Sequence, residues 1–436
     1  MKYDLGGLTT FLRRSVSAFH AVDAICEQLQ SAGYTPLQES EHWRLIPGGG
    51  YYVTRNQSSV IAFRVPERGF APVQAVACHS DSPVFRLKEH AEMEAQGCYT
   101  LVNTERYGGM LLYTWLDRPL SVAGRALVRT PRGIESRLIN IDRDLLLIPS
   151  LAIHMNRQVN DDLKLNPQTD MLPLLGDAAA KGKLAQLTAE AAGCAPEQLA
   201  GSDLYLYNRA EPSVWGADNA YISAPRLDDL ECAYTALCGF LAAGPREHIN
   251  MYCVFDNEEV GSSTRQGADS TFFEDVIARL ALGLGADGEA LRRALASSFL
   301  VSADNAHALH PNHPEKSDAT NRVRMNEGVV VKFSANQKYT TDGLSKAIFC
   351  EICARAGVPV QFFANRSDMP GGSTLGNISS AHVSIPAVDI GLPQLAMHSS
   401  YETAGARDAE AMVRALTAFY ETEIRAQADG TYELRH

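Results

Sequence analysis

The sequence predicts an α/β protein: a mostly parallel sheet flanked by helices, interrupted by a separate, mainly β block. Three observations predict it. From about residue 220 onward, short apolar runs such as "INMYCVF" and "SSFLVSAD" alternate with long helical stretches such as "DDLECAYTALCGFLAAG" and "FFEDVIARLALGLG". Between about 86 and 219 the texture changes to alternating, half-exposed strands, "LLYTWLDRPLSVAGRALVRT" and "IESRLINI". Several apolar runs also stop abruptly at His, Asp or Glu. The expected organisation is a first domain segment at 1–85, an inserted β-rich domain at 86–219, and the rest of the first domain at 220–436.

In chain order, Leu8, Phe11, Leu12, Val16, Phe19, Val22, Ile25 and Leu29 recur every three to four residues up to Gly33, which predicts an amphipathic helix over 8–32. "YYVTRNQSSVIAFRV" reads as a hairpin around a polar Asn-Gln-Ser-Ser turn, and "PVQAVACHSD" as a strand ending in a polar turn. The stretch 178–199 reads as a helix within the β-rich block. "TDGLSKAIFCEICARAG", "PVQFFAN", "SIPAVDIG" and a final helix around "DAEAMVRALTAFYETEIRAQ" complete the alternation.

Composition narrows the function. The chain has 436 residues, 45% of them hydrophobic, and a formal net charge of −12. Nucleic-acid binding needs clustered Lys and Arg to neutralise phosphates, so this balance argues against it. The N-terminal stretch lacks a continuous apolar h-region, so no signal peptide is expected. The longest apolar stretch, 145–153, is broken by Pro149 and falls short of the ~20 residues a membrane span needs. A soluble cytoplasmic protein is expected. The nine cysteines fit reduced thiols better than a disulfide framework. Cys350 and Cys353 have CxxC spacing but sit inside a predicted helix with no further ligands near, which points to ordinary packing.

The charged residues at strand ends carry the chemistry. His79 and Asp81 follow one predicted strand, Glu258 and Glu259 a second, Asp304 a third and His398 a fourth, while Asp228 opens a helix. Open α/β sheets place their sites beyond the carboxyl ends of the strands, so these loops can converge. Each residue alone has a plain structural reading as a cap, a hydrogen-bonded His or a solvated pair. Together they need water, counter-charge or metal, because burying them unpaired is costly. In an extended segment Glu258 and Glu259 point to opposite sides, so one can ligate metal while the other acts as a general base. Two His, two terminal carboxylates, a bridging Asp and a free Glu make a two-metal set suited to Zn²⁺, with Co²⁺ or Mn²⁺ as substitutes. Asp81 is placed to orient His79 through its ring N–H. A glycosidase fails because neighbouring carboxylates diverge instead of facing each other. The loop "MPGGSTLGN" (369–377) lacks a phosphate-loop pattern; Gly371 and Gly372 there suit a tight turn or close approach to substrate. His307, His310 and His313 are expected to line the site or the surface, since Pro311 and Pro314 break their spacing.

With these residues in view, the sequence resembles the aspartyl aminopeptidases, within the co-catalytic zinc exopeptidases. The resemblance runs through "HSDSP", "YGGMLLYTWLDRPLSVAGR", "IPSLAIHMNR", "APRLDDL", "FDNEEVGS", "SADNAHALHPN", "NRSDMPGGSTLG" and "VDIGLPQLAMHS". It implies that His79 and Asp304 hold one zinc, Glu259 and His398 the other, with Asp228 bridging, Glu258 as general base and Asp81 orienting His79. It implies a zinc-peptidase-like fold whose inserted domain pairs subunits into dimers and then a tetrahedral dodecamer, with His154 reaching a neighbour's site. Ser80 and Asp229 stand where Thr and Asn are commoner. Substrates would be peptides with a free N-terminus, cleaved one residue at a time. An acidic first residue needs a cation; Lys332, Lys338, Arg366 and Arg324 are the candidates, with Lys338 taken as substrate-binding. The competing readings are a dizinc deacetylase or dipeptidase of other specificity, and an inactive structural shell.

Overall fold

The apolar runs that end in charged residues become neighbours in one sheet. Strand Val73–His79 lies between Ile249–Phe255 and Phe299–Ala303, and Ala387–Gly391 follows; these four run parallel. The computed structural model describes residues 3–369, 371–372 and 375–435, with the backbone only at 377–380. The full sheet has nine strands. The hairpin Gly50–Arg55/Ser59–Arg64 joins one side in antiparallel sense, and Val329–Phe333 joins the other.

Why these runs are so uniformly apolar is clear from where their side chains go. Along Val73–His79, Val76 and Cys78 enter one core while Val73, Ala75 and Ala77 enter the other. Tyr252 and Val254 likewise separate from Met251 and Cys253. A sheet buried on both faces cannot alternate apolar with polar. Helix Leu227–Ala242 packs in the first core and is buried on every side from Leu227 to Phe240. Helix Phe272–Gly283 packs in the second.

Two predicted elements are shorter than their periodicity suggests. The helix expected over 8–32 is two helices, Leu5–Arg14 and Ala18–Ser31. Ser17 adopts an extended backbone and its side chain caps the second helix at His20 N–H. Both helices face the same core, so the apolar spacing runs on across the break. The helix expected over 178–199 is confined to Lys183–Ala191, entered from a left-handed Gly182 and followed by a 3₁₀ turn starting at Pro196. Cys353 is buried and Cys350 half-buried within helix Gly343–Arg355, and both are free thiols.

A second sheet of six antiparallel strands is drawn from residues 84–208 and has its own core, centred on Phe85, Trp115, Leu120, Val122 and Leu206. Residues 149–169 form no helix or strand; Leu165 packs against this core, while Leu151, Ile153, Met155 and Leu163 are exposed. A third, five-stranded sheet is small and was not legible in the sequence. It joins Ser213–Trp215, Tyr221–Ala224, Glu402–Gly405, Pro393–Leu395 and Ala306–His307. Its strands flank the loops bearing Asp228, Asp304 and His398. Among the described residues, no helix is long and apolar enough to cross a membrane.

Candidate active site

The carboxyl ends of three of the parallel strands deliver His79, Glu258, Glu259 and Asp304, and the loops of the small sheet deliver Asp228 and His398. His79 is the last residue of its strand and pairs with Phe255, so the turn bearing Glu258 and Glu259 starts beside it. Asp304 follows Ala303, where the adjoining strands pinch together: a Cβ on Gly391 would collide with the Asp304 carbonyl oxygen. Asp228 sits at the irregular start of its helix, after a left-handed Arg226, and the Asp228–Asp229 peptide is cis. His398 is held at a φ of 66° between two strands of the small sheet.

These side chains converge. His79 Nε2 lies 3.5 Å from Asp228 Oδ1 and 3.9 Å from Asp304 Oδ1. His398 Nε2 lies 3.6 Å from Asp228 Oδ2 and 3.4 Å from Glu259 Oε2. Such separations are too long for hydrogen bonds. They lie at or a few tenths of an ångström above the ~3.4 Å edge between two ligands held about 2.1 Å from a tetrahedral zinc. Donor atoms of His79, Asp228, Asp229 and Asp304 lie within 4.8 Å of one another, as do those of His79, Glu258 and Glu259, and of Asp228, Glu259 and His398. Asp228 Oδ1 and Glu259 Oε1 are buried without a hydrogen-bond partner. An orphaned Asp228 Oδ1 facing His79 Nε2 across a cation-sized gap is what a divalent metal satisfies, and the donor set fits zinc.

The turn after Phe255 differs from the extended segment the sequence suggested. Asn257 is left-handed and Glu258–Val260 form a 3₁₀ turn, so the two glutamates do not diverge; both offer an oxygen near His79. The cause is Asp81, whose two carboxylate oxygens accept the Glu258 and Glu259 N–H groups at 3.1 and 3.2 Å. That commitment also changes how Asp81 meets His79. The ring Nδ1 is nearer the Asp81 carbonyl oxygen, at 3.1 Å, than its Oδ1, at 3.4 Å.

Two further buried carboxylates, unassigned by sequence, hold backbone in the same way. Asp229 Oδ2 accepts His79 N–H at 3.0 Å. Glu402 accepts Asp228 N–H at 3.0 Å and His398 N–H at 2.7 Å. Burial pushes the Glu258 carboxyl up to about 8, with Asp304 and Asp81 adding to the shift and His79 opposing it. Burial also raises Glu259. Burial opposes charge on His398, but Asp228 and Glu259 outweigh it and raise the imidazole to about 10. His398 and His79 together hold Asp228 well below the usual carboxylate range in spite of its burial.

These groups line an open cavity of about 770 Å³. Lys332, Tyr339, Phe363, His307 and Gly372 complete its wall. Lys332 is only 2% exposed; its Nζ donates to the Asp304 carbonyl at 2.8 Å and stands 3.5 Å from Asp304 Oδ2. The other sequence candidates fall elsewhere. Lys338 is exposed and outside the cavity wall, Arg366 is half-exposed and paired with Asp368, and Arg324 is exposed beside Glu327. Gly371 is half-buried against Asn365, and Pro370, Ser373 and Thr374 of the same loop lie outside the described residues. His154 is exposed in the irregular stretch 149–169. His310 and His313 line an adjoining surface groove.

An α/β sheet carrying imidazoles and carboxylates at its strand ends defines a metal-dependent hydrolase class. Residues 11–420 match the family model for the aminopeptidase I zinc metalloproteases, M18. The chain is 44% identical over 424 residues to a probable M18 family aminopeptidase 2 of Clostridium acetobutylicum, covering 95% of this chain and 97% of that one. It superposes with a TM-score of 0.93, at 33% identity, on a chain of the Ape4 and Nbr1 complex, covering 96% of this chain and 85% of that one. It superposes with a TM-score of 0.84, at 25% identity, on the S. cerevisiae mApe1 dodecamer, covering 95% and 96%. The chain belongs to the M18 zinc aminopeptidases.

Proposed function

We propose that the protein is a dizinc aminopeptidase that removes a single N-terminal residue, Asp or Glu, from peptides. His79 and Asp304 would hold one zinc, Glu259 and His398 the other, with Asp228 between them. The observation that carries this is the division of one carboxylate: Asp228 turns Oδ1 to His79 and Oδ2 to His398, at 3.5 and 3.6 Å. When bound, a zinc pair supplies Lewis acidity, lowering the pKa of water and polarising a carbonyl.

The chain's own groups do the rest. Glu258 is not needed to complete either donor set and lines the cavity. It takes the proton of the attacking water and returns it to the departing amine. Asp81 holds the turn that aims Glu258. Lys332 is the cation inside the cavity and replaces Lys338 as the reader of an acidic first side chain. Gly372, at the cavity wall, lets the backbone approach substrate. A free N-terminal amine would be met by the surrounding carboxylates, which limits cleavage to one residue.

The 84–208 sheet, which largely overlaps the 86–219 block, is proposed as an inserted oligomerisation domain that pairs subunits toward a homododecamer. The mApe1 assembly supports this reading, and so do the apolar side chains exposed on 149–169. His154, in that stretch, would then reach the neighbouring subunit's cavity. A cytoplasmic enzyme acting on free peptides, with no nucleic-acid or membrane partner, fits the acidic composition.

Replacing Glu258 with Gln tests the chemistry. Zinc content should stay at wild type while kcat on an aspartyl chromogenic amide falls by about 10²–10⁴-fold. Retained activity would remove the proposed base. N-acetylated peptides should be refused by wild type; their turnover would favour a deacetylase.

A further inference from the structure

The segment Tyr107–Leu111 leaves the six-stranded sheet and runs against the donor loops of the nine-stranded one. Tyr107 ends strand Tyr99–Tyr107. Its hydroxyl donates to Asp81 Oδ2 at 2.6 Å and accepts from Asn257 Nδ2 at 2.8 Å. Burial pushes the phenol far above its ordinary pKa, so the hydroxyl stays a donor. Gly108 has a φ of 75°, and a Cβ there would stand 3.1 Å from Glu259 Cβ and 3.4 Å from its carbonyl oxygen. The Gly109 carbonyl lies 2.6 Å from His398 Nδ1. A carbonyl only accepts, so Nδ1 carries the hydrogen, and Nε2 is left to face Asp228 and Glu259 as the ligating atom. The Leu111 N–H then donates to the His398 carbonyl at 3.0 Å.

One short run of chain therefore holds Asp81 and His398 and passes close against Glu259, three residues from three separate loops. None of these contacts is needed to close the six-stranded sheet. Strand pairing there ends with Val84 opposite Tyr107. The glycines are required by closeness: a side chain at 108 would press on Glu259.

We infer that Tyr107–Leu111 is a positioning clamp by which the six-stranded sheet sets the geometry of the metal donors. Tyr107 fixes Asp81 and, through it, the Glu258–Glu259 turn. Gly109 fixes the tautomer and ring plane of His398. The six-stranded region is thus a working part of the active site as well as a surface for assembly. The inference rests on the dizinc reading of the donors.

The test is Tyr107→Phe in the full-length, zinc-loaded protein, with Tyr99→Phe at the outer end of the same strand as control. Zinc affinity is measured by chelator competition, alongside kcat, KM, particle mass and the melting temperature of the metal-free protein. The clamp predicts zinc held roughly 10–100-fold more weakly and a lower kcat with KM little changed. Mass and metal-free melting should stay at wild type, and Tyr99→Phe should match wild type throughout. Wild-type zinc affinity and kcat in Tyr107→Phe overturn the inference. Should that variant not assemble, Gly108→Ala takes its place: wild-type zinc affinity there, with a side chain pressed on Glu259, equally overturns it. The two readings fail separately. Activity in Glu258→Gln sinks the proposed mechanism, while the zinc-affinity arm still judges the clamp.

Discussion

The nine-stranded and six-stranded sheets use the same secondary structure for opposite ends. The first is buried on both faces, parallel at its centre, and places His79, Glu258, Glu259 and Asp304 where its strands stop. The second is antiparallel, has a core of its own, and leaves an irregular apolar stretch exposed beside it. Two covering layers make a stiff edge, and a stiff edge can hold donors a few ångströms apart. An antiparallel sheet tolerates an open face, so it can offer surface to a partner. The Tyr107–Leu111 segment shows that the division of labour is incomplete, because the open sheet also reaches into the stiff one's site.

Perturbing each region separately sharpens this contrast. Of the three changes that compare the regions, the largest effect is expected at Lys332, inside the nine-stranded sheet. Lys332→Met should lower the ratio of kcat/KM for aspartyl over leucyl amides by about 10–100-fold, the worth of one charge-assisted hydrogen bond. It should also lower the melting temperature, because Asp304 loses its buried cation. An unchanged ratio in folded protein would remove Lys332 as the reader of acidic side chains.

The exposed stretch should show a different signature. Leu151→Ser, Ile153→Ser and Met155→Ser together, at side chains 60, 47 and 76% exposed, should reduce the particle mass seen by light scattering. Zinc content should persist, since none of the three touches a donor. An unaltered mass would move the assembly surface elsewhere on the molecule.

The smallest effect belongs to the helix layer behind the donors. His20 is held by Ser17, and burial, helped by the nearby Arg226, lowers its pKa from 6.5 to about 4. The unfolded chain therefore takes up this proton near pH 6.5 and the folded chain only near 4. Stability from His20 is complete above pH 6.5 and is lost as pH falls through that window. The drop in melting temperature between pH 7.5 and 5 should be smaller in His20→Gln than in wild type; equal drops would assign the acid sensitivity to other groups.

How far the site could be read from sequence depended on the kind of contact. His79, Asp304 and the Glu258–Glu259 pair were legible because each ends an apolar run, and a buried strand has few reasons to end in charge. The orientation of the glutamates was not legible, since the turn at Asn257 is imposed by Asp81, 177 residues away from Glu258 in sequence. Glu402 carried no local signal at all. Its partner Asp228 lies 174 residues away, and only the small sheet, pairing Ala224 with Glu402, brings them together. That Lys332 is enclosed and Lys338 exposed needed the fold for the same reason, because strand alternation and cavity shape decide which lysine is enclosed.

The sequence by itself determined the alternation of strand and helix, the texture of the β-rich block and the donor types at the strand ends. These follow from periodicity and burial cost, which act within a few residues of chain. Only the tertiary structure decided which oxygen of Asp228 faces which imidazole, which carboxylates grip backbone, and that Tyr107 and Gly109 reach the donors. Those are contacts of a few ångströms between distant segments, and they exist only once the sheets have packed.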